Sequence, residues 1–127
     1  MKKDIKTIYY AFDGKLVGNM KMKINVCQTL EKMPLEIVKS ITKNCWFFAS
    51  MEDAWAFTFT GRDLMGHHLI FLSDDLLFQN KQQIQHTIAH EIGHVILGHR
   101  NSILEMQSKK EIKKQEKEAD DFANKYL

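Results

Sequence analysis

Residues 90–94 read His-Glu-Ile-Gly-His, and the arrangement follows from helix geometry. On an α-helix, residues i and i+4 lie one turn apart on one face, so His90 and His94 can share one metal ion. Glu91 falls about 100° round from His90. That keeps it beside the ion without making it a ligand, where it can take a proton from the water the metal activates. Two imidazoles leave a tetrahedral zinc site short of a third protein ligand.

The surrounding residues support a helix from about Lys81 to Gly98. Ile84, Ile88, Ile92, Val95 and Ile96 form an apolar stripe centred roughly 160° from His90 on a helical wheel. The His90, Glu91 and His94 side carries Gln83, His86 and Thr87 instead. One face is therefore expected to meet a core and the other a polar cleft, as an open catalytic site requires. Gly98 is a suitable C-terminal breaker.

A second amphipathic segment runs from about Lys109 to Leu127, with Ile112, Ala119, Ala123, Tyr126 and Leu127 on one face. Measured from Ile112, Glu116 falls at about 40°, inside the stripe, and Glu118 at about −120°, near its edge. A core-facing carboxylate is costly unless it is paired or binds a metal. This favours Glu116 as third ligand, with Glu118 as the fallback. Asp120, one turn beyond Glu116, can accept a hydrogen bond from a ligating imidazole. Ala119 and Ala123 permit close helix approach. The lysines at 109, 110, 113, 114 and 117 alternate with Glu111, Glu116 and Glu118 and read as a solvated face.

Other histidines fit less well. The longer motif HExxHxxGxxH would place its third His at position 100, which is Arg100, and a Gly at position 97, which is Leu97. His99 is one residue out of register after a helix breaker. It reads as a surface residue or as one that backs a ligand. His86 shares the metal face, but three ligands in a row on one helix would diverge from a single ion. His67 and His68 have no evident partner.

The 127 residues fit one domain. Apolar residues make up 44% and charged residues 27%, ordinary for a soluble globular protein. A formal net charge of +2 gives no argument for nucleic acid. Cys27 and Cys45 lie in no metal-ligand spacing and are expected to be buried free thiols. No signal peptide or membrane segment is evident, so the expected location is the cytoplasm.

Three short apolar runs occupy the middle: Cys45 to Ala49, Ala54 to Thr60 and His68 to Leu72. Short turns between them, including Gly61-Arg62-Asp63, predict a small, mainly antiparallel (mixed) sheet. Their aromatics read as core, since interleaved basic residues are lacking. Before them, Pro34 suits the first turn of a helix carrying Leu35, Val38 and Ile41, with Asn44 as its stop. Thr7 to Phe12, leading into Asp13-Gly14, predicts a strand or hairpin. Met20 to Ile24 can continue it or begin a helix that runs through Leu30; periodicity leaves both open. The fold class is α+β, with the HExxH helix and a glutamate-bearing C-terminal helix packed on the sheet.

HEIGHVILGH followed by QEKEADDFANKYL resembles the gluzincin clan of zinc peptidases, within it the ImmA/IrrE-type and HtpX-like metallopeptidases. The likeness covers about Gln83 to Leu127, and in size the chain is nearer the compact minigluzincins. The resemblance implies a zincin-like fold and one Zn2+ held by His90, His94 and Glu116, with Asp120 beside them. It further implies peptide-bond hydrolysis with Glu91 as general base, and a protein substrate such as a DNA-bound repressor or other regulatory protein. An extended peptide would add to an edge strand, His68 to Ser73 or Ala54 to Thr60. A second oxyanion donor commonly lies further on, and Tyr126 is the only late residue suited to it. The alternative expectation is a non-catalytic zinc-binding domain in which the metal staples two helices.

Overall fold

The computed structural model describes residues 2–50, 56–59, 66–99 and 108–127, without the side chains of 50 and 56–59. The Gly61-Arg62-Asp63 turn, the ends of the second strand run (54, 55 and 60) and Arg100 lie outside the described residues.

In chain order the elements are α1 (Ile5–Ala11), β1 (Leu16–Val17), α2 (Met20–Glu31), α3 (Leu35–Asn44), β2 (Cys45–Ser50), β3 (Ala56–Phe59), β4 (His68–Ser73), α4 (Asp74–Leu77), α5 (Lys81–Ile96) and α6 (Lys109–Tyr126). This is an α+β fold. Among the described residues four strands lie in the order β1-β2-β4-β3. β1 and β2 pair parallel, β2 and β4 pair parallel, and β3 pairs antiparallel with β4. The sheet is mixed, as expected, but its central pairing is parallel and it is not mainly antiparallel. The reason is topological: β4 returns between β2 and β3 rather than beyond β3. Ile70 and Leu72 of β4 are fully buried, as is Phe47 of β2, so the most apolar strands take the centre.

Residues 7–12 form no strand. Asp4 caps α1 by accepting a hydrogen bond from the Thr7 N–H at 2.7 Å. Ile8 and Phe12, four apart, are buried while Tyr9 and Tyr10 face out. That is a helical period, and with the cap it outweighs the β preference of the aromatic residues. Asp13 (φ 50°) and Gly14 (φ 85°) then turn the chain out of α1 instead of closing a hairpin. Of the two readings of residues 20–30, the helix is the one formed. Asn19 accepts from the Met22 N–H at 2.9 Å, and Met22, Val26, Cys27 and Leu30 are buried. Pro34 stands at the cap of α3, one residue before its first turn.

The buried side chains form one cluster that includes Phe12, Leu30, Ile41, Phe47, Ile70, Leu72 and the apolar face of α5. α5 packs against α2, α6, β3 and β4. Its buried Gln85 joins a polar network. Lys32 Nζ donates to Gln85 Oε1 at 3.0 Å, and Gln85 Nε2 donates to Gln28 Oε1 at 3.0 Å and Asn25 Oδ1 at 3.3 Å. Gln85→Ala would strip a partner from the buried Asn25 side chain and from the half-buried Gln28, at an expected cost of about 1–3 kcal/mol. Chemical denaturation would read this loss, and an unchanged midpoint would show the network to be idle.

Cys27 and Cys45 are free and buried. Burial pushes the first thiol up to about 11 and the second to about 12, so neither offers a thiolate near neutral pH. Among the described residues no helix is long and apolar enough to cross a membrane.

Candidate metal centre

α5 begins at Asn80, whose side chain accepts from the Gln83 N–H at 2.8 Å. Its stripe behaves as the wheel requires: Ile84, Ile88 and Ile92 are fully buried and Val95 nearly so, with Ile96 partly buried against the same core. The histidine face is covered by α6. Gly93 is a point of close approach, since a Cβ there would lie 3.0 Å from Phe122 Cδ1 and 3.2 Å from Phe122 Cβ and Cγ. Ala119 and Ala123 complete the contact side of α6, both fully buried. Gly93→Val would press its Cβ against Phe122 and add the bulk of two γ-carbons at this tight contact. Overpacking of this kind costs about 1–3 kcal/mol, and a lowered thermal midpoint is the expected measurement.

The seam between the two helices carries polar rungs one turn apart, running in opposite directions along α5 and α6. His86 Nε2 lies 3.0 Å from Asn124 Oδ1, and His90 Nδ1 lies 2.6 Å from Asp120 Oδ1. His90 Nε2 is 2.9 Å from Glu116 Oε2, and His94 Nε2 is 3.1 Å from Glu116 Oε1. The two Nε2 atoms are 3.1 Å apart. His90, His94 and Glu116 thus each bring a ligand atom to one point, close enough to hold a metal ion.

The donor set suits zinc. Two imidazole nitrogens and a carboxylate are a common catalytic triad of ligands. Neighbouring ligand atoms of a tetrahedral zinc lie about 3.3 Å apart, from bonds of roughly 2.0–2.1 Å, against 2.9–3.1 Å between nitrogens and oxygens here. Both Nε2 atoms face the common point, which requires the proton of each neutral ring to sit on Nδ1. Asp120 accepts that proton's hydrogen bond from His90. Burial, then the neighbouring His90, pushes the His94 pKa below its ordinary value, with Glu116 opposing. His94 is therefore neutral, and able to ligate, at a lower pH than a free histidine.

The two glutamates divide clearly. Glu116 reaches both imidazoles, whereas Glu118 Oε1 lies 3.7 Å from His99 Nε2 and is not in the metal-capable group. Glu116 does not sit in the core, however. Its side chain is 54% exposed, and Ile112 on the same stripe is 46% exposed. The stripe of α6 meets the core only in its C-terminal half, and Glu116 meets the histidines of α5 instead. Glu91 is buried, with 6% exposure, so the polar face of α5 is more enclosed than its composition indicates. His99 is also buried, at 9%, and its Nδ1 lies 2.9 Å from His94 Nδ1; it is not a surface residue. His68 is partly buried, and its Nδ1 has no hydrogen-bond partner among the described residues. Tyr126 packs its ring edge-on against Phe122 at 5.1 Å and contributes to the core.

His94–His99 and His86–Asn124 were not evident from spacing, because each depends on how α5 ends or where α6 lies. Residues 81–127 match the family model described as Peptidase U49. The matched stretch is α5 through α6, the part of the chain that carries the whole candidate centre. No curated protein and no solved structure matches the chain.

Proposed function

We propose that this chain is a zinc-dependent peptidase of gluzincin type, with His90, His94 and Glu116 as metal ligands. The observation that carries the reading is the convergence of those three side chains at one point, with Glu91 next in sequence to the first, inside the stretch that matches a peptidase family. The ImmA/IrrE-type likeness of Glu116-Lys117-Glu118-Ala119-Asp120-Asp121-Phe122-Ala123 supports the same ligand set.

Zinc, when bound, supplies Lewis acidity toward water and toward the carbonyl of the bond to be cut. Glu91 accepts the proton of the attacking water on its carboxylate and delivers it to the leaving amine. Asp120 keeps the His90 proton on Nδ1 and fixes the ring plane. The enclosure of Glu91 and of both histidines excludes bulk water around these groups.

Substrate binding by strand addition favours β3. β4 (His68–Ser73) is hydrogen-bonded on both sides, to β2 and to β3, so it cannot take a further strand. Among the described residues β3 ends the strand order, and it packs on α5, which supports strand addition beside the metal-bearing helix. An extended segment of a regulatory protein fits such an edge, since backbone hydrogen bonds bind any sequence and flanking pockets select one.

The test is metal stoichiometry together with cleavage of a broad peptide library. One zinc per chain is expected, with hydrolysis abolished by a chelator and restored by one equivalent of zinc. Tight zinc binding without cleavage of any library member would favour the alternative. There the metal only staples α5 to α6, a role that ligands drawn from two helices also fit.

A further inference from the structure

α5 closes in a Schellman turn. Leu97 is its C-cap, and Gly98 follows in the left-handed region at φ 68°. The Gly98 N–H donates to Val95 O at 3.1 Å and the His99 N–H to His94 O at 3.0 Å. Those two bonds define the motif, and they fold the residue after the glycine back over the last helical turn. An apolar side chain usually occupies that place. Here it is an imidazole, and the residue it folds onto is His94. The ring centroids of His94 and His99 are 5.1 Å apart, and the two Nδ1 atoms approach to 2.9 Å. On its far side, His99 Nε2 faces Glu118 Oε1 of α6 at 3.7 Å.

We propose that His99 is a positioning residue for His94. The inference rests on the reading of His90, His94 and Glu116 as metal ligands. His94 Nε2 points to the ligand cluster, so its lone pair is available there only when the ring proton is on Nδ1. That proton has His99 Nδ1 as its acceptor. His99 must then carry its own proton on Nε2, where the Glu118 carboxylate faces it. The His94 Nδ1–H meets an acceptor at 2.9 Å, and the His99 Nε2–H is left on the side of the Glu118 carboxylate, at ion-pair rather than hydrogen-bond distance. The two metal-ligating histidines are thereby backed in parallel ways. Asp120 supports His90 directly, and Glu118 supports His94 through one intervening imidazole. This assigns a role to each acidic residue near the seam: Glu116 binds the metal, while Asp120 and Glu118 orient the rings.

A buried imidazole could instead simply plug the helix end. Asn and Leu at position 99 separate the two roles. They are nearly isosteric, and Asn Oδ1 sits as many bonds from Cα as His Nδ1, so Asn restores the acceptor and Leu does not. Zinc affinity is read by competition with a chromogenic chelator, and ring orientation by the visible spectrum of the Co2+ form. His99→Leu is expected to weaken zinc binding about 10–100-fold, the usual effect of losing a ligand's hydrogen-bond partner, and to alter the Co2+ bands. His99→Asn is expected to recover most of the affinity and the wild-type bands. Should the Leu variant fail to fold, His99→Ala serves in its place, with the same loss expected and Asn again as the rescue. Equal affinities for the Asn and the apolar variants, whether both low or both normal, would overturn the proposal. Wild-type protein that binds no zinc would overturn the underlying ligand reading instead.

Discussion

Glu91→Gln is expected to lower peptide hydrolysis by about 10²–10⁴-fold, the usual worth of a positioned general base, while zinc content and fold stay unchanged. The amide keeps the size and planarity of the carboxylate but is not basic. It therefore removes proton transfer while keeping the shape of the side chain. Burial makes this choice of substitution matter, because Glu91 is only 6% exposed. Glu91→Ala would open a cavity at this buried position of α5 and confound catalysis with packing. Steady-state hydrolysis of a library-derived peptide, with zinc measured on the same sample, checks the prediction. A Gln variant that cleaves at the wild-type rate would remove Glu91 from the mechanism. One that loses zinc would show instead that the buried carboxylate shapes the site.

How much of this was legible beforehand differs along the chain, for physical reasons. α5 was readable because two signals agreed: the i, i+4 histidines and an isoleucine stripe on the opposite side. The strands at 45–50 and 68–73 were readable from short apolar runs that match them almost residue for residue. Their arrangement was not. Short connections suggest neighbouring antiparallel strands, but β4 enters between β2 and β3, and nothing local encodes that insertion. The composition of residues 7–12 favours strand, yet one Asp4 side chain and the four-residue spacing of Ile8 and Phe12 make a helix. Glu116 shows a subtler gap. The wheel singled it out as a carboxylate in an apolar stripe, and the structure does bring it to both imidazoles. The supposed cost of burial was not the cause, since the side chain is about half exposed. The wheel gives an azimuth only. It says nothing of whether core or a facing helix lies at that azimuth. Sequence reading allowed His99 to back a ligand, but its pairing with His94 was hidden for a related reason: counting in steps of 3.6 residues stops being valid at Gly98, where the chain folds back.

Glu116→Ala beside Glu118→Ala carries the largest effect expected on metal binding. Glu116 offers one oxygen to each imidazole nitrogen, at 2.9 and 3.1 Å, and it is the only ligand of the group that α6 supplies. Its removal leaves two imidazoles, which zinc binds poorly without a third protein donor. Affinity should therefore fall well beyond the roughly 10–100-fold typical of losing a ligand's hydrogen-bond partner. The contact between α5 and α6 should survive, because Gly93, Phe122, Ala119 and Ala123 hold it by packing. The metal-free variant is thus expected to keep its helical circular dichroism. Glu118→Ala removes a group 3.7 Å from His99 and should cost no more than that roughly 10–100-fold. The ordering of the two variants is the decisive result. A larger loss in Glu118→Ala would transfer the third-ligand role to Glu118. Equal and small losses would mean that the carboxylates of α6 do not bind the metal, and that the convergence of His90, His94 and Glu116 is only a hydrogen-bonded seam.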